Sequence, residues 1–491
     1  MGILSITIFL PAAGALLLSV LPGKNARIPR AVALAVTFLT LVLSCVLFAS
    51  YDRSLGGFQF VDALSWIPAI NSSYHVGLDG LSLSLVTLTS LLAVIAVLAS
   101  RHITSQPKAF FAWLLLLQSC IIGVFSSLDL LLFFIFWELE VVPLYFLIST
   151  WGSNRKERSA IKYVLYTLFG SAFMLAGIVA LYFTTGTFSL PELYNTDFAM
   201  LANGIPLAAM FFLLLAGFAV KLPIFPFHTW LPDTYSDAPT AGSIMLAGAL
   251  SKMGGYGIAR ICLGLFPDTA ASFSSLFMGL AVVNIIYGGA IALRQKEIKR
   301  IIAYSSFSHM GFVLLGIFSL NEIGLTGAAL QMVSHGLIIG LLFAGAAILV
   351  KRTGTSRIDE MGGLARQMPV LCGLVFVAAI GAMGVPSSSG FVAEVSVYLG
   401  AFSASAEAAK IITIISLVGI LLAASYMLNM VMKVFFGPVR ESFASLPDIG
   451  SVEKLYLGVL ATGIFTVGLY PQLITTVLKP AIKGLAVLWG G

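Results

Sequence analysis

The sequence contains little charge. Asp, Glu, Lys and Arg make up only 10% of its 491 residues, whereas 59% are hydrophobic and the mean hydropathy is +1.01. A soluble globular domain carries about 25% charged residues. No charged stretch is long enough to form a separate soluble domain, and the formal net charge of +6 is scattered rather than clustered. We therefore expect a single integral membrane domain over residues 1–491, surrounded by the lipid bilayer and without a nucleic-acid partner.

The sequence also lacks the short motifs of the common cofactor sites. Its four cysteines are far apart and form no CxxC, which argues against an iron–sulfur cluster, a structural zinc site or a disulfide framework. Neither GxGxxG nor a P-loop motif occurs, so no nicotinamide or ATP site is expected. The N-terminal MGILSITIFLPAAGALLLSVLPG has no basic n-region and no cleavage site, which predicts a first membrane helix rather than a signal peptide. These absences predict no redox site, cofactor or metal on this chain.

Long apolar runs dominate the sequence, and a membrane-spanning helix needs about 20 such residues. The seventh run contains KLPIFP, with Pro223 and Pro226, and the twelfth contains GAMGVPSSSGF, with Pro386. Proline removes a backbone hydrogen bond and breaks a helix, so both helices are expected to be discontinuous. We predict an all-α fold with fourteen transmembrane helices, at 2–22, 31–50, 79–100, 109–127, 129–151, 160–185, 205–231, 239–263, 273–293, 299–319, 323–350, 369–402, 411–436 and 455–478.

The positions of the two broken helices suggest an internal repeat. Helices four to eight (109–263) contain one broken helix in fourth position, and helices nine to thirteen (273–436) contain the other in fourth position. Because each block has five helices, the second block is expected to be inverted relative to the first. Helices one to three (1–100) and helix fourteen (455–478) lie outside the repeats. Corresponding broken helices in the two halves of a transporter mark its transport path.

Basic residues are distributed unevenly between the two sides of the predicted helices. When the loops are assigned alternately, twenty of the 27 Lys and Arg residues fall on one side. Only five fall on the other side, namely Arg53, Arg260, Lys410, Lys479 and Lys483. Cytoplasmic loops carry the excess of basic residues, so both termini are expected on the non-cytoplasmic side. The remaining two residues, Lys221 and Lys252, lie inside hydrophobic segments.

Six ionisable side chains lie at predicted membrane depth, each on a different helix. A charged side chain in the bilayer is costly, and such residues mark ion and proton pathways in membrane proteins. Histidine changes its charge near neutral pH and suits the steps between lysines. We therefore predict a proton relay that consists of Glu138, Lys221, Lys252, His309, His335 and Glu394.

The relay hypothesis centres on an ion pair between Glu138 and Lys221. At about 6 Å and an effective dielectric constant of about 20, their attraction is roughly 3 kcal/mol. Movement of the carboxylate away from the lysine would let the lysine release its proton. His228, near the end of the seventh helix, is predicted to lie at a channel mouth. Glu140 is two residues from Glu138 and is expected on the opposite helix face, towards another subunit, a second channel or a local hydrogen bond.

Structural roles are the alternative for each relay residue. Lys221 could bond the carbonyls that the prolines leave unpaired, and Lys252 could be a structural hydrogen-bond donor. Glu138 could serve only to hold Lys221 in place. His309 and His335 could be hydrogen-bonded core residues.

Five motifs resemble one known family. WELEVVPLYFLISTWG, VKLPIFPFHTWLPDTYSDAPTAGS, LSKMGGYG, AYSSFSHMGF and IDEMGGLA resemble the antiporter-like membrane subunits of respiratory complex I, and the similarity covers essentially the whole chain. The resemblance implies fourteen helices in two inverted five-helix repeats. It also implies that the family's relay positions correspond to Glu138, Lys221, Lys252, His309, His335 and Glu394.

The acid of the twelfth helix separates the branches of this family. Subunits L and N and the sodium/proton antiporter subunit typically carry lysine where this chain has Glu394, so the chain resembles subunit M (mitochondrial subunit 4) most. The resemblance implies a non-redox subunit of a proton-translocating NADH:quinone oxidoreductase in a bacterial inner membrane, with L- and N-type subunits as neighbours. NAD, FMN, iron–sulfur clusters and quinone are then expected elsewhere in the complex. The alternatives are a cation/proton antiporter subunit, a photosynthetic ferredoxin-driven counterpart and an assembly scaffold.

Overall fold

The computed structural model describes residues 2–21, 26–153, 155–196 and 205–487; Lys24, one of the twenty basic residues assigned to the cytoplasmic side, lies outside them. The first half of the chain consists of α1 (Ile3–Val20), α2 (Arg27–Ser50), β1 (Gln59–Ile67), β2 (Ser72–Leu78), α3 (Gly80–Ala99), α4 (Pro107–Ser126), α5 (Leu130–Trp151), α6 (Lys156–Thr185), α7 (Leu207–Lys221), α8 (Trp230–Asp237) and α9 (240–263). The second half consists of α10 (Ser274–Arg294), α11 (Ile298–Ile317), α12 (Glu322–Thr353), α13 (Pro369–Ala382), α14 (Ser389–Phe402), α15 (Ala409–Phe435), α16 (Ser451–Leu469) and α17 (Gln472–Val487). Short helices at Leu190–Tyr194 and Pro267–Ser272 lie in two of the loops.

Within the described residues, eleven helices are long and apolar enough to cross a membrane. Three further crossings are broken or distorted, and they consist of α7 with α8, α9 alone, and α13 with α14. The prediction of fourteen crossings is confirmed. Apolar segments of this length form helices because the hydrocarbon core offers the backbone no other hydrogen-bond partner.

The two predicted helix breaks are confirmed. The first spans 222–229 and contains Pro223 and Pro226, and the second spans 383–388 and contains Pro386. Each proline lacks an N–H and fixes its own backbone, so the helix cannot continue through it. Each break therefore leaves a helix end inside the membrane region.

The eighth crossing, α9, is not a regular α-helix. Its α-helical segment Ser251–Gly257 lies between two π-helical segments, Leu246–Leu250 and Ile258–Leu263. Such π-turns are rare overall, but those that occur are often found at functional sites. Lys252 lies at the start of the segment between them.

Two features differ from the sequence-based prediction. β1 and β2 form an antiparallel hairpin between α2 and α3, which the apolar pattern did not indicate. The fourteenth helix ends at Leu469 rather than at 478, and α17 follows it and packs against α3 and α12. Both features are short and amphipathic or irregular, so a search for long apolar runs does not detect them.

The protein interior is formed by a few helices near the centre of the molecule. In α11 and α12, 89% of the most apolar window is buried, compared with 28% in α2. In each five-helix block the third helix packs along one half of the broken fourth helix, α6 along α7 and α12 along α14. The ionisable side chains next to the two breaks, Lys221 and Glu394, are therefore enclosed by protein, whereas Phe227 and Val385 within the breaks are exposed.

Candidate functional site

Lys221 lies in a fully enclosed polar cluster at the first break. It is the last residue of α7 and is completely buried. Its Nζ donates to the Glu140 carboxylate of α5 and to the Tyr163 hydroxyl of α6, the latter at 3.0 Å. That hydroxyl lies 2.8 Å from both carboxylate oxygens of Glu140, to which it donates. The Trp137 ring lies 5.3 Å from Nζ and adds a cation–π contact.

The carbonyls freed by the first break have partners other than Lys221. The Trp230 indole donates to the carbonyl of Val220 at 3.0 Å, and the Asn284 amide donates to the carbonyl of Pro223 at 3.1 Å. Buried carbonyls need such partners. Because these two are already satisfied, the arrangement does not fit the alternative in which Lys221 caps the broken helix.

The carboxylate partner of Lys221 is Glu140, not Glu138 as predicted. Glu140 is completely buried and faces the lysine, whereas Glu138 is half-buried and its Oε1 is enclosed without a hydrogen-bond partner. The segment DLLLFFIFWELEVVP is apolar on every side, so the sequence pattern does not show which helix face points inward. The helix is also interrupted at Glu140, where Pro143 leaves the Leu139 carbonyl without its usual N–H partner.

Lys252 and His335 form a second buried contact. The Lys252 Nζ lies 2.7 Å from His335 Nδ1 and 3.2 Å from the Ser251 hydroxyl, and it also donates to the carbonyl of Ala247. That carbonyl belongs to the first π-helical segment of α9. Among the described residues Lys252 forms no ion pair with a carboxylate, and its contacts are a carbonyl, a hydroxyl and an imidazole.

His309 and Glu394 approach each other at the second break. His309 Nδ1 lies 3.5 Å from Glu394 Oε1 and 3.3 Å from the Gln331 amide nitrogen, and its Nε2 lies 3.4 Å from the Tyr426 hydroxyl. Gly384, in the break itself, has φ +65°, and a Cβ there would overlap Glu394 Oε2. The glycine therefore leaves the space that the carboxylate occupies.

His228 is enclosed by aromatic rings. It is 3% exposed, and its ring stacks on Phe307 at 4.3 Å and on Phe225 at 5.7 Å, with Tyr287 edge-on at 5.4 Å. Its Nδ1 is buried without a hydrogen-bond partner. The sequence placed His228 near the end of the seventh helix, whereas the structure places it within the break with its side chain buried. Its position at a channel mouth stays a prediction.

Arg260 is a third buried basic residue, although its position near a helix end predicted a loop. It is 3% exposed in the second π-helical segment of α9 and pairs with Asp79, the N-cap residue of α3. Tyr194 donates to its backbone carbonyl at 2.8 Å. Arginine stays protonated in proteins, so this pair joins two helices and cannot pass a proton.

The structure thus places five of the six predicted relay residues in three groups: Lys221 with Glu140, Lys252 with His335, and His309 with Glu394; Glu138 lies outside these contacts. Each group joins different helices and contains at least one side chain that can take up and release a proton. Sequence analysis missed Tyr163, because a tyrosine in an apolar helix is common, and it assigned no role to Glu140. The WELE motif, which ends with Glu140, was the one available signal that this residue has a role.

Comparisons with known proteins agree with this architecture. A family model described as NADH:quinone oxidoreductase/Mrp antiporter, transmembrane region, matches residues 127–422, which is more than half of the chain. The chain belongs to this family. NAD(P)H-quinone oxidoreductase chain 4 of Picosynechococcus sp. is 40% identical and covers 96% of this chain and 90% of its own length. NADH-quinone oxidoreductase subunit M of Rickettsia prowazekii is 37% identical over 99% of both chains.

A solved structure shows the same fold. A chain of respiratory complex I from Thermus thermophilus has 27% sequence identity and a TM-score of 0.89, over 99% of this chain and 100% of its own. The predicted fold class and family are confirmed. The protein is a multi-pass membrane subunit of the NADH:quinone oxidoreductase type, whose members assemble with other membrane subunits.

Proposed function

We propose that this chain translocates protons as the M-type subunit of a quinone-reducing complex. The observation that carries the proposal is the enclosure of Lys221 and Lys252, both fully buried, among groups that exchange protons. Charged groups in a membrane core are functional sites by default because their burial is costly. An antiporter role remains the second candidate, since the matching family includes Mrp antiporters.

In the proposed relay, Lys221 is held by Glu140 and Tyr163, and Glu138 is a second carboxylate on the same helix. The buried, unpartnered oxygen of Glu138 gives the lysine an alternative partner close to the first. Transfer of Lys221 between the two carboxylates would change how firmly it holds its proton, because an opposite charge stabilises the charged form. Protons would then pass to Lys252, His335 and His309 and leave near Glu394.

We place the redox chemistry in other subunits. NAD, FMN, iron–sulfur clusters and quinone would be bound there, and quinone reduction would drive this chain electrostatically. Among the described residues, no three His, Cys, Asp or Glu side chains come together as metal ligands would. We place the chain in a bacterial inner membrane with both termini on the non-cytoplasmic side and with L- and N-type subunits as neighbours.

The test replaces Lys221 by alanine and by arginine in the assembled complex. Inverted membrane vesicles allow quinone reduction and proton uptake to be measured in the same sample. Because arginine keeps the charge but does not release a proton, both variants should lose proton translocation by about tenfold or more. Lys454→Ala, which alters an exposed lysine, is the matched control and should pump normally.

An assembly scaffold predicts the opposite result. If both Lys221 variants assemble, reduce quinone and pump at the wild-type ratio, the relay does not exist. If sodium, rather than protons, is translocated by the wild-type complex, the antiporter role replaces the proposal.

A further inference from the structure

A small cavity lies between the two histidines and the acid of the second repeat. Its volume is about 10 Å³, and it is lined on its polar side by Ser305, His309, Gln331, His335 and Glu394. Such a volume accommodates the centre of one water molecule and nothing larger. Ile338, Ile339, Gly381 and Ala382 complete the wall.

Four buried polar atoms on the wall have no hydrogen-bond partner in the protein. They are Ser305 Oγ, Gln331 Oε1, His335 Nε2 and Glu394 Oε1, and all four side chains are at least nine-tenths buried. An unsatisfied buried polar atom costs roughly 1–3 kcal/mol, so such atoms are rare in folded proteins. Four of them around one small cavity indicate a shared ligand.

The hydrogen-bonding roles of these atoms match those of a water molecule. The Lys252 ammonium has donors and no acceptor, so in its contact with Lys252 His335 Nδ1 accepts; the neutral imidazole then carries its proton on Nε2 and donates into the cavity. Ser305 can donate as well. The Gln331 amide nitrogen faces His309, which leaves the Gln331 carbonyl oxygen as an acceptor beside Glu394. Two donors and two acceptors complete the tetrahedral bonding of one water.

A metal cation fits this site less well than water does. A hard cation such as Na⁺ is bound by oxygen ligands and by no hydrogen-bond donor, whereas the His335 Nε2–H would point directly at it. The cavity also offers only three oxygen atoms among the unpartnered groups. The donor on His335 therefore distinguishes the two ligands.

We propose that Ser305 and Gln331 hold a single water molecule that bridges His335 and Glu394. This inference rests on the proposed function and adds two positioning residues to it. As Lys252 passes a proton to His335 Nδ1, the water takes the proton on His335 Nε2 and gives one of its own to Glu394 Oε1. Two N–H bonds and one O–H bond break, one N–H and two O–H bonds form, and the neutral imidazole and the water are regenerated. The link lets the relay run from Lys252 to Glu394 without passing through His309.

The first test is direct observation of the water in the intact complex that contains this chain. A high-resolution density map should show one peak within hydrogen-bond distance of His335 Nε2 and Glu394 Oε1, and Ser305→Ala should weaken or remove it. Difference infrared spectra in H₂¹⁶O and H₂¹⁸O should show a shifted O–H band that the variant lacks. Absence of a peak in the wild type, or a peak that depends on sodium concentration, overturns the proposal.

The second test measures proton translocation at matched quinone turnover. Ser305→Ala and Gln331→Met should lower it by about tenfold or more, the scale on which a positioned proton-transfer group acts. Ser305→Thr, which keeps the hydroxyl, should restore most of it. Ser306→Ala is the matched control, because Ser306 is the next residue and equally buried but does not line the cavity.

Lys252→Ala in the same vesicles separates the two possible failures. If Lys252→Ala pumps normally, the proposed function fails. If Lys252→Ala does not pump while Ser305→Ala and Gln331→Met do, the relay stands and the bridging water is wrong.

Discussion

The two five-helix repeats place their ionisable groups on corresponding helices but reverse the charge at the centre. In the first repeat, Lys221 on the broken helix meets a carboxylate from the second helix, Glu140, and a hydroxyl from the third, Tyr163. In the second repeat, Glu394 on the broken helix meets an imidazole from the second helix, His309. The two repeats share the arrangement of helices, but the broken helix carries a basic residue in the first repeat and an acidic residue in the second.

The two clusters also differ in how firmly they are held. The Lys221 cluster is completely enclosed, and its ammonium, carboxylate and hydroxyl all bond one another. The Glu394 cluster has a longer contact of 3.5 Å and a cavity beside it. A tight ion pair suits the storage of a charge, whereas a looser group with room for water suits its transfer. We therefore expect the cluster of the first repeat to hold and release a charge, and the cluster of the second repeat to pass protons on.

The largest difference should appear when each cluster loses its carboxylate. Glu140→Gln leaves the buried Lys221 ammonium without a counter-charge, which typically costs about 3–5 kcal/mol. Glu394→Gln weakens only the 3.5 Å contact with His309 and should cost about 1 kcal/mol. The purified complex can be heated stepwise, and the fraction of this subunit that stays bound can be measured at each temperature. Glu140→Gln should lose the subunit at a clearly lower temperature than Glu394→Gln does.

Glu138→Gln provides the control for that comparison, since it changes the same side chain two residues away on the same helix. It should destabilise the complex clearly less than Glu140→Gln does, because Glu138 forms no ion pair or hydrogen bond with Lys221 in the structure. If it destabilises the complex as much as Glu140→Gln does, Lys221 pairs with Glu138 in the membrane.

A smaller effect is expected from Tyr163→Phe. The hydroxyl bonds both Glu140 and Lys221, and a hydrogen bond to a charged group contributes about 1.5–3 kcal/mol. Tyr166→Phe, about one turn along the same helix, removes a hydroxyl whose bond to Thr229 is solvent-exposed and should have little effect. Equal stabilities of the two variants would contradict the enclosed cluster.

The smallest of the three effects is expected in the second repeat from Gly384→Ala. The new Cβ would meet Glu394 Oε2, and the left-handed backbone costs about 1–2 kcal/mol for a residue other than glycine. The Glu394 carboxylate should therefore shift. Proton translocation per quinone reduced, measured in vesicles, should fall clearly even where the complex stays assembled. Gly373→Ala, in α13 with nothing within 4 Å of the added atom, is the control and should be neutral or stabilising.

The sequence predicted the parts of this architecture that follow from the bilayer. Fourteen crossings follow from apolar length, and both breaks follow from Pro223, Pro226 and Pro386. These predictions succeed because lipid leaves the backbone few choices. Burial of Lys221 and Lys252 was equally visible, since no loop lay near either residue.

The sequence did not predict which side chains meet. Glu138 and Glu140 lie on an evenly apolar helix, so their inward face could not be chosen from the pattern. Arg260 lies near a helix end, where basic residues usually reach solvent. Ser305 and Gln331 are ordinary helix residues, and only the positions of neighbouring helices show that they enclose a cavity. Such contacts depend on packing between distant segments, which local patterns do not record.

The π-helical segment Leu246–Leu250 makes chain length as important as residue type in α9. Deletion of a single residue there would restore ordinary α-helical winding and rebuild the turn whose Ala247 carbonyl accepts from Lys252. Lys252 would then lose the partner that this wider turn provides, although every relay residue would still be present. The winding of this helix, not only the lysine itself, therefore determines how Lys252 is held beside His335.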